Sequence, residues 1–245
     1  MCFNYSLNKK PEYLEERFDA EFVDKNGYER IYQVSAFSDV DLPVITNKKP
    51  GKISFFKWGL VPFWVKNMEQ ANDMASKTKN ARAESIFEKP AFRAAAGKRR
   101  CLILADGFFE WREVGGKKYP YYIKLKNDDA FAFAGVWERW NNKAEDTEVY
   151  SYSLVTTEAN PLLANIHNTK KRMPVILIEE NEKRWLESDV SEEDAKDILV
   201  PYPEDKMEAY TISKIITDTN FQINSPEVLE PHDYPELNTK QEKLF

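Results

Sequence analysis

Cysteine and histidine are scarce in this 245-residue chain, which has two of each. Cys2 and Cys101 cannot build a disulfide framework, so a reducing compartment is expected. The sequence contains no C-x-x-C or H-x-x-x-H spacing, and a zinc site is therefore not expected. His232 stands in a proline-punctuated segment with no supporting motif, whereas His167 has charged neighbours. We predict no metal and no other cofactor.

Long apolar runs and targeting patterns are also missing. No stretch approaches the roughly 18 apolar residues of a membrane span. The first residues lack the basic-then-apolar pattern of a secretory signal. We therefore expect a cytoplasmic protein without membrane partners.

Charge is unevenly distributed along the chain, whose net charge is −6. Residues 66–100 carry nine Lys/Arg against four Asp/Glu, and residues 179–208 carry twelve acids against four bases. The overall sign disfavours a general nucleic-acid binder. The basic segment could still form a one-sided anion site, and the acidic segment is typical of a solvated helical face.

Strand-like runs dominate the centre of the chain. Apolar runs with polar turns predict strands over 100–105, 107–111, 119–126, 131–140 and 149–157. Helical spacing predicts a helix over 11–21, a helix from Asn80 to about Glu88, and short helices over 158–167, 180–187 and 191–199, the last with a capping-box start at Ser191. There is no β-α-β alternation or internal repeat. We predict one α+β domain over 1–245, a curved, largely antiparallel sheet or open barrel-like core decorated by short helices. The tail from about residue 220 is expected to lie on the body.

The amino-terminal Met1-Cys2 pair combines two reactive groups. If Met1 is removed, Cys2 carries a free α-amine, whose pKa is ordinarily about 7.7–8.0, beside a thiol. A neutral amine forms a Schiff base with an aldehyde, and the adjacent thiol can close a five-membered thiazolidine ring. An amino-terminal cysteine can also be a hydrolase nucleophile. The alternative is a buried cysteine in an edge strand.

Three other stretches carry polar groups suited to chemistry. In "NARAE" (residues 80–84), Arg82 can hold a phosphate and Glu84 can orient Arg82, or Asn80 is simply a helix N-cap. Glu110 lies between aromatic residues, where desolvation would favour acid–base work, unless its side chain faces water. His167 could carry a proton beside Lys170, Lys171 and Arg172, or this segment is a solvated surface loop.

The aromatic stretch "WGLVPFW" (residues 58–64) can be interpreted in two ways. Exposed tryptophans can stack on nucleobases of single-stranded DNA. More often, such a cluster belongs to a hydrophobic core.

Taken together and in order, Met1-Cys2, "WGLVPFW", "NARAE", "ADGFFEW", "TTEAN" and "IHNTKKRMP" resemble the SRAP (SOS response-associated peptidase) family over nearly the whole chain. The resemblance implies a DNA-damage protein that senses abasic sites in single-stranded DNA and shields them by a covalent thiazolidine crosslink. It implies Cys2 as nucleophile and Asn80 as holder of the opened sugar or the amine. It also implies Glu110 as proton shuttle and His167 as the acid that opens the sugar ring.

The same resemblance implies a set of DNA contacts. Arg82 and Arg172 would take phosphates, Trp64 would stack beside the lesion, and Trp58 would shape the channel. Thr156 matches a polar residue near the site. Asn4 stands where the family usually has arginine, so one phosphate contact is lost or is replaced by another basic residue.

The expected activity is therefore that of an abasic-site processing enzyme, lyase-like or of the thiol-peptidase type, acting as a monomer on single-stranded DNA. Two other functions stay open from the sequence. One is a thiol autopeptidase or an amino-terminal-nucleophile amidohydrolase. The other is a single-stranded DNA binding module without a covalent step.

Overall fold

The computed structural model describes residues 2–142, 145–188, 190–217 and 224–238. The predicted α+β class is confirmed. The strands are β1 (Asn4–Leu7), β2 (Glu21–Phe22), β3 (Ile31–Ser35), β4 (Asp41–Thr46), β5 (Lys49–Trp58), β6 (Asn80–Arg82), β7 (Arg100–Ala105), β8 (Gly107–Val114), β9 (Lys117–Leu125), β10 (Phe131–Asn142), β11 (Thr147–Glu158), β12 (Arg172–Pro174), β13 (Ile176–Leu177) and β14 (Met207–Thr211). The helices are α1 (Pro11–Phe18), α2 (Met68–Lys77), α3 (Arg93–Lys98), α4 (Pro161–Ile166), α5 (Glu179–Leu186), α6 (Glu192–Ile198) and α7 (Pro235–Asn238).

Five strands close into a barrel. β4 pairs antiparallel with β5 and β7, and β10 pairs antiparallel with β7 and β11. The ring closes where Ser151 and Tyr152 of β11 pair in parallel with Lys57 and Trp58 of β5. The predicted open, barrel-like core is thus a closed one, and this closure removes the exposed edges that an open sheet would leave.

A second sheet, in the order β14-β9-β8-β1-β3, packs against the barrel and carries the amino terminus. The ring of Phe133, on barrel strand β10, meets Tyr5 of β1 and Phe108 of β8, each at a centroid distance of 5.9 Å. Cys2 belongs to the same buried cluster. Because β1 lies between β3 and β8, the start of the chain is fixed in the middle of this sheet.

One predicted helix is wrong. Asn80–Arg82 form strand β6, which pairs in parallel with Leu154–Thr156 of β11. Only a single 3-10 turn, Ala83–Ser85, follows it. Pairing with a distant strand overrides the local helical pattern here.

The other predicted elements are confirmed. The five central strand-like runs are β7 to β11, with the turn at Asp106 between β7 and β8. Helix α1 ends at Phe18, three residues before the predicted end. Helix α6 begins with a complete capping box between Ser191 and Asp194.

The predicted tail is described only for 224–238; residues 220–223 and 239–245 lie outside the described residues. Within 224–238, the side chain of Asn224 accepts a hydrogen bond from the Tyr32 amide, at 2.7 Å. The amide of His232 donates to the Thr211 carbonyl, at 2.8 Å. This part of the tail lies on the body, as predicted. No helix among the described residues is long and apolar enough to cross a membrane.

The start of β8 depends on a glycine. A Cβ at Gly107 would lie 2.1 Å from the hydroxyl oxygen and 2.2 Å from Cζ of the buried Tyr122. That hydroxyl is hydrogen-bonded to Ser6 at 3.0 Å, and Ser6 donates to Asp106 at 2.6 Å. The ring therefore cannot move without disturbing a buried polar network.

We expect Gly107→Ala to lower the free energy of unfolding by about 1–3 kcal/mol, because overpacking displaces Tyr122. The measurement is urea denaturation, where the midpoint should fall. Gly97→Ala is the matched control: a Cβ there meets nothing within 4 Å, inside helix α3. It should stabilise the protein by roughly 0.5–1 kcal/mol, and equal effects of the two substitutions would contradict this explanation.

Candidate active site

Cys2 lies just before β1 and is completely buried. Its Sγ donates a hydrogen bond to the Asn4 carbonyl, at 3.5 Å. Burial, together with the nearby Glu110 carboxylate, raises the pKa of the Cys2 thiol far above its usual value. The sulfur is therefore a protonated thiol at neutral pH, not a thiolate.

Asn80 fixes the backbone of Cys2. Pairing with β11 places Asn80 at the first position of β6, where its Nδ2 donates to the Cys2 carbonyl oxygen at 2.9 Å. Asn80 is thus not a helix N-cap. Its Oδ1 is buried and accepts no hydrogen bond from the described part of the chain. This oxygen is available to an amine or a hydroxyl group brought next to Cys2.

Glu110 faces the protein interior, opposite Tyr121 of β9, and is only 4% exposed. The interpretation in which it faces water is wrong. Burial raises the pKa of Glu110 to about 8, against smaller opposing contributions from the charged amino terminus, the Trp111 backbone amide and, last, the charge of Lys170. At neutral pH the group is mainly a carboxylic acid, which can donate a proton.

His167 follows helix α4 and is 7% exposed. Its Nδ1 lies 2.9 Å from the Arg172 carbonyl oxygen, which can only accept, so Nδ1 carries the proton and Nε2 is the basic nitrogen. Burial lowers the pKa of His167. Its Nδ1 lies 3.6 Å from Oε1 of Glu110. Because the two pKa shifts oppose charge on both groups, we regard this as a contact between two neutral groups and not as an ion pair.

Arg172 is held by side chains from two other elements. Its guanidinium forms a bidentate ion pair with Glu84, with N–O distances of 2.5 and 3.0 Å, and donates to the Thr156 carbonyl at 2.7 Å. The predicted partner of Glu84 was Arg82, whereas its hydrogen-bonded partner in the structure is Arg172. The buried Thr156 joins this network through its hydroxyl, which lies 3.3 Å from both the Arg172 guanidinium and the Ala81 carbonyl.

A cleft of about 310 Å³ opens beside these groups. Glu110 and His167 line one side of it, and Asn4 lies at its wall, where its Oδ1 accepts from Gln33 at 2.7 Å. The other lining residues are Phe3, Trp111, Glu113, Lys118, Thr169 and Lys170. A small polar molecule in the cleft would lie beside the carboxyl group of Glu110 and the imidazole of His167.

Comparison with known proteins identifies the family of the chain. The family model for the SOS response associated peptidase (SRAP) matches residues 1–219. The chain belongs to the SRAP family.

Curated relatives of this SRAP chain carry names that refer to abasic sites. It is 37% identical over 235 residues to the abasic site processing protein YoqW of Bacillus subtilis (strain 168), covering 95% of this chain and 100% of that protein. It is 32% identical over 205 residues to the abasic site processing protein HMCES of Rattus norvegicus, covering 72% of this chain and 56% of that protein.

Solved structures share the SRAP fold of this chain. A crystal structure of a Bacteroides thetaiotaomicron protein superposes with a TM-score of 0.89 at 36% identity, covering 95% of this chain and all of the other. A second, from Bordetella bronchiseptica, gives a TM-score of 0.75 at 27% identity, covering 86% of this chain and all of the other.

The predicted DNA contacts of this SRAP chain lie in part along a neighbouring groove of about 430 Å³. Trp64, Asn80 and Arg82 line it together with Lys89, and Trp64 is 46% exposed. Trp58 is 4% exposed, and its indole donates to the Lys79 carbonyl at 2.8 Å. Trp58 therefore supports the strand that carries Asn80, while only Trp64 offers an open ring face. Asn80 joins the groove to the Cys2 site.

Three lining residues of this SRAP site escaped the sequence reasoning. Phe3, Glu113 and Lys118 line the cleft but belong to no motif that indicates chemistry. Cross-strand pairing with Glu113 brings Lys118 to the cleft, and that register was not predicted. Among the described residues, no group of three or more His, Cys, Asp or Glu side chains could hold a metal ion.

Proposed function

We propose that this chain processes abasic sites in single-stranded DNA by forming a covalent thiazolidine crosslink between Cys2 and the lesion. The observation that carries this proposal is the position of Cys2 beside Asn80, Glu110 and His167, where the acid is protonated and the histidine neutral at pH 7. The names of the curated relatives support the substrate.

The protonation state of Cys2 favours an amine-first reaction. Its buried thiol is protonated, so the sulfur is a weak nucleophile until an electrophile is placed beside it. Removal of Met1 would free an α-amine, which has an ordinary pKa of about 7.7–8.0 and is partly neutral at pH 7. The amine therefore attacks first, and the thiol acts second.

Each step of crosslink formation can then be assigned to a group of this chain. His167 takes the proton of the C1 hydroxyl group of the abasic sugar on Nε2 and passes it to the ring oxygen, and the bond between C1 and the ring oxygen breaks to leave the aldehyde. The amine adds to the aldehyde carbon to give a carbinolamine. Glu110 donates a proton to its hydroxyl group, which leaves as water and gives the imine. The Cys2 sulfur bonds to the imine carbon, and the thiol proton passes to the nitrogen to complete the thiazolidine.

The groove beside Asn80 would hold the strand. Arg82 and Lys89 offer positive charge for phosphates, and Trp64 offers a ring for stacking. Arg172 would reach a phosphate only in competition with Glu84, which already occupies its guanidinium. We therefore infer that Arg172 contributes mainly through its carbonyl, which orients His167.

The deciding experiment is a denaturing gel of Met1-processed protein with single-stranded DNA that carries one abasic site. We expect a heat-stable shifted band that requires both the lesion and the freed amino terminus, which mass spectrometry would verify. A missing band, or a band that persists in Cys2→Ala, would falsify the proposal. A thiol peptidase would cleave peptides and ignore the DNA, and a plain binding module would shift native gels only.

Trp64→Ala should weaken non-covalent binding of lesion-free single-stranded DNA about 5- to 150-fold, the loss expected for one aromatic stacking platform. Fluorescence anisotropy measures this affinity without the covalent step. Trp64→Phe should recover most of the loss because it keeps an aromatic face. An unchanged affinity in Trp64→Ala would place the strand elsewhere.

A further inference from the structure

Residues 168–171, between His167 and Arg172, form a closed turn. The Lys171 amide donates to the His167 carbonyl at 2.8 Å, and Lys171 has the left-handed φ of 49°. The Lys171 carbonyl accepts from the Ala159 amide at 3.0 Å. The turn is therefore fixed to the ends of α4 and β11, while its four residues are exposed at the surface.

Asn168 attaches this turn to the strand that carries Glu110. Its Oδ1 accepts from the Glu113 amide at 3.1 Å, and its Nδ2 donates to the Glu113 carbonyl at 2.8 Å. The side-chain amide thus imitates the paired hydrogen bonds of a neighbouring strand. It ties the turn that follows His167 to β8.

The turn delivers one ammonium group to the cleft. Lys170 lines it together with Glu110 and His167, and makes no ion pair with any described residue. The other titratable groups near Glu110 are the charged amino terminus, the Cys2 thiol, His167 and Tyr121 of β9, and Glu113 and Lys118 also line the cleft. The positive charge of Lys170 lowers the pKa of both Glu110 and His167, in each case by less than burial changes it and by less than the amino terminus lowers it.

We propose that Lys170 is an electrostatic residue of the active site, held beside the Glu110–His167 pair by the two Asn168 hydrogen bonds. Its charge disfavours a proton on His167 and eases release of the proton of Glu110. Lys170 has this position because four residues separate His167 from Arg172. Asn168 is a positioning residue, which acts through Lys170.

Histidine NMR tests the proposal without DNA. The chain has two histidines, and His232→Gln identifies the His167 imidazole signal. In Lys170→Gln, the midpoint of the His167 titration should move to higher pH, and Asn168→Ala should move it in the same direction. Lys171→Gln is the matched control. It removes the same charge from the next residue along the chain, whose side chain does not line the cleft. The proposal would be overturned if the His167 titration curves of wild type and Lys170→Gln superimposed, or if Lys171→Gln shifted the curve by the same amount.

A second experiment, which measures crosslinking, rests on the proposed function. At pH 7, Lys170→Gln should slow crosslinking about three- to tenfold, the effect of one screened charge. Affinity for lesion-free single-stranded DNA should stay within about twofold, as expected when no phosphate contact is removed. A matching loss of affinity would make Lys170 a phosphate contact and overturn the electrostatic role. If no crosslink forms in any variant, the proposed function fails, whereas the NMR shift is still expected.

Discussion

Cys2→Ser is expected to turn a heat-stable DNA adduct into one that survives denaturation only after reduction with borohydride. Serine keeps the α-amine once Met1 is removed, so the imine with the abasic aldehyde can still form. The hydroxyl group is a poorer nucleophile than sulfur and does not give a durable ring. Without reduction, the amount of stable adduct should fall on the order of 100-fold or more, because the favourable intramolecular ring closure is lost.

We expect Cys2→Ser still to form the imine because Asn80 holds the backbone at position 2. Its hydrogen bond is to the Cys2 carbonyl, so the backbone anchor does not depend on the side chain at position 2. Cys101→Ser is the control, since the second buried cysteine lies in β7 within the barrel and should not affect adduct stability. A reduction-independent adduct of normal yield in Cys2→Ser would show that the sulfur is not part of the linkage.

The central strands β7 to β11 could be predicted from the sequence because their apolar runs are long and are separated by turn residues. β7 and β8 meet at Asp106-Gly107, and a local pattern was enough to find both. β6 could not be found in this way. Asn80–Arg82 is only three residues long, and it is a strand solely because it pairs with β11, more than seventy residues away.

In the candidate site, too, some features could be predicted from the sequence and others could not. The resemblance to SRAP motifs named Cys2, Asn80, Glu110 and His167, and the structure places them together. The pairing of Glu84 with Arg172 was missed because the sequence offers Arg82 two positions away. The partner of Glu84 is determined by β11, because this strand pairs with both β6 and β12. These two pairings bring Glu84, just after β6, next to Arg172, the first residue of β12.

Glu110→Gln is expected to slow crosslinking about 10²–10⁴-fold at pH 7, the usual contribution of a positioned general acid. The pKa of Glu110 is raised to about 8, so the wild-type group donates a proton below that pH and loses this ability above it. Wild-type rates should therefore decline above about pH 8, while the α-amine becomes more reactive as it loses its proton. Glutamine cannot titrate, so the variant should keep the rising limb and lose the decline. Single-turnover rates from pH 6 to 9 would show this difference.

The same substitution should stabilise the fold at alkaline pH, and this separates lost chemistry from misfolding. A carboxyl group whose pKa is raised by folding favours the native state less as pH rises from its unfolded value, about 4.3, to its folded value. Glutamine fills the same volume without a charge to bury, so the urea midpoint of Glu110→Gln should exceed that of wild type at pH 9. Glu16→Gln, at an exposed position of α1, should change neither the rate by more than about twofold nor the midpoint, as is usual for surface substitutions. A slow variant that is also less stable at pH 9 would indicate that Glu110 supports the fold and not the reaction.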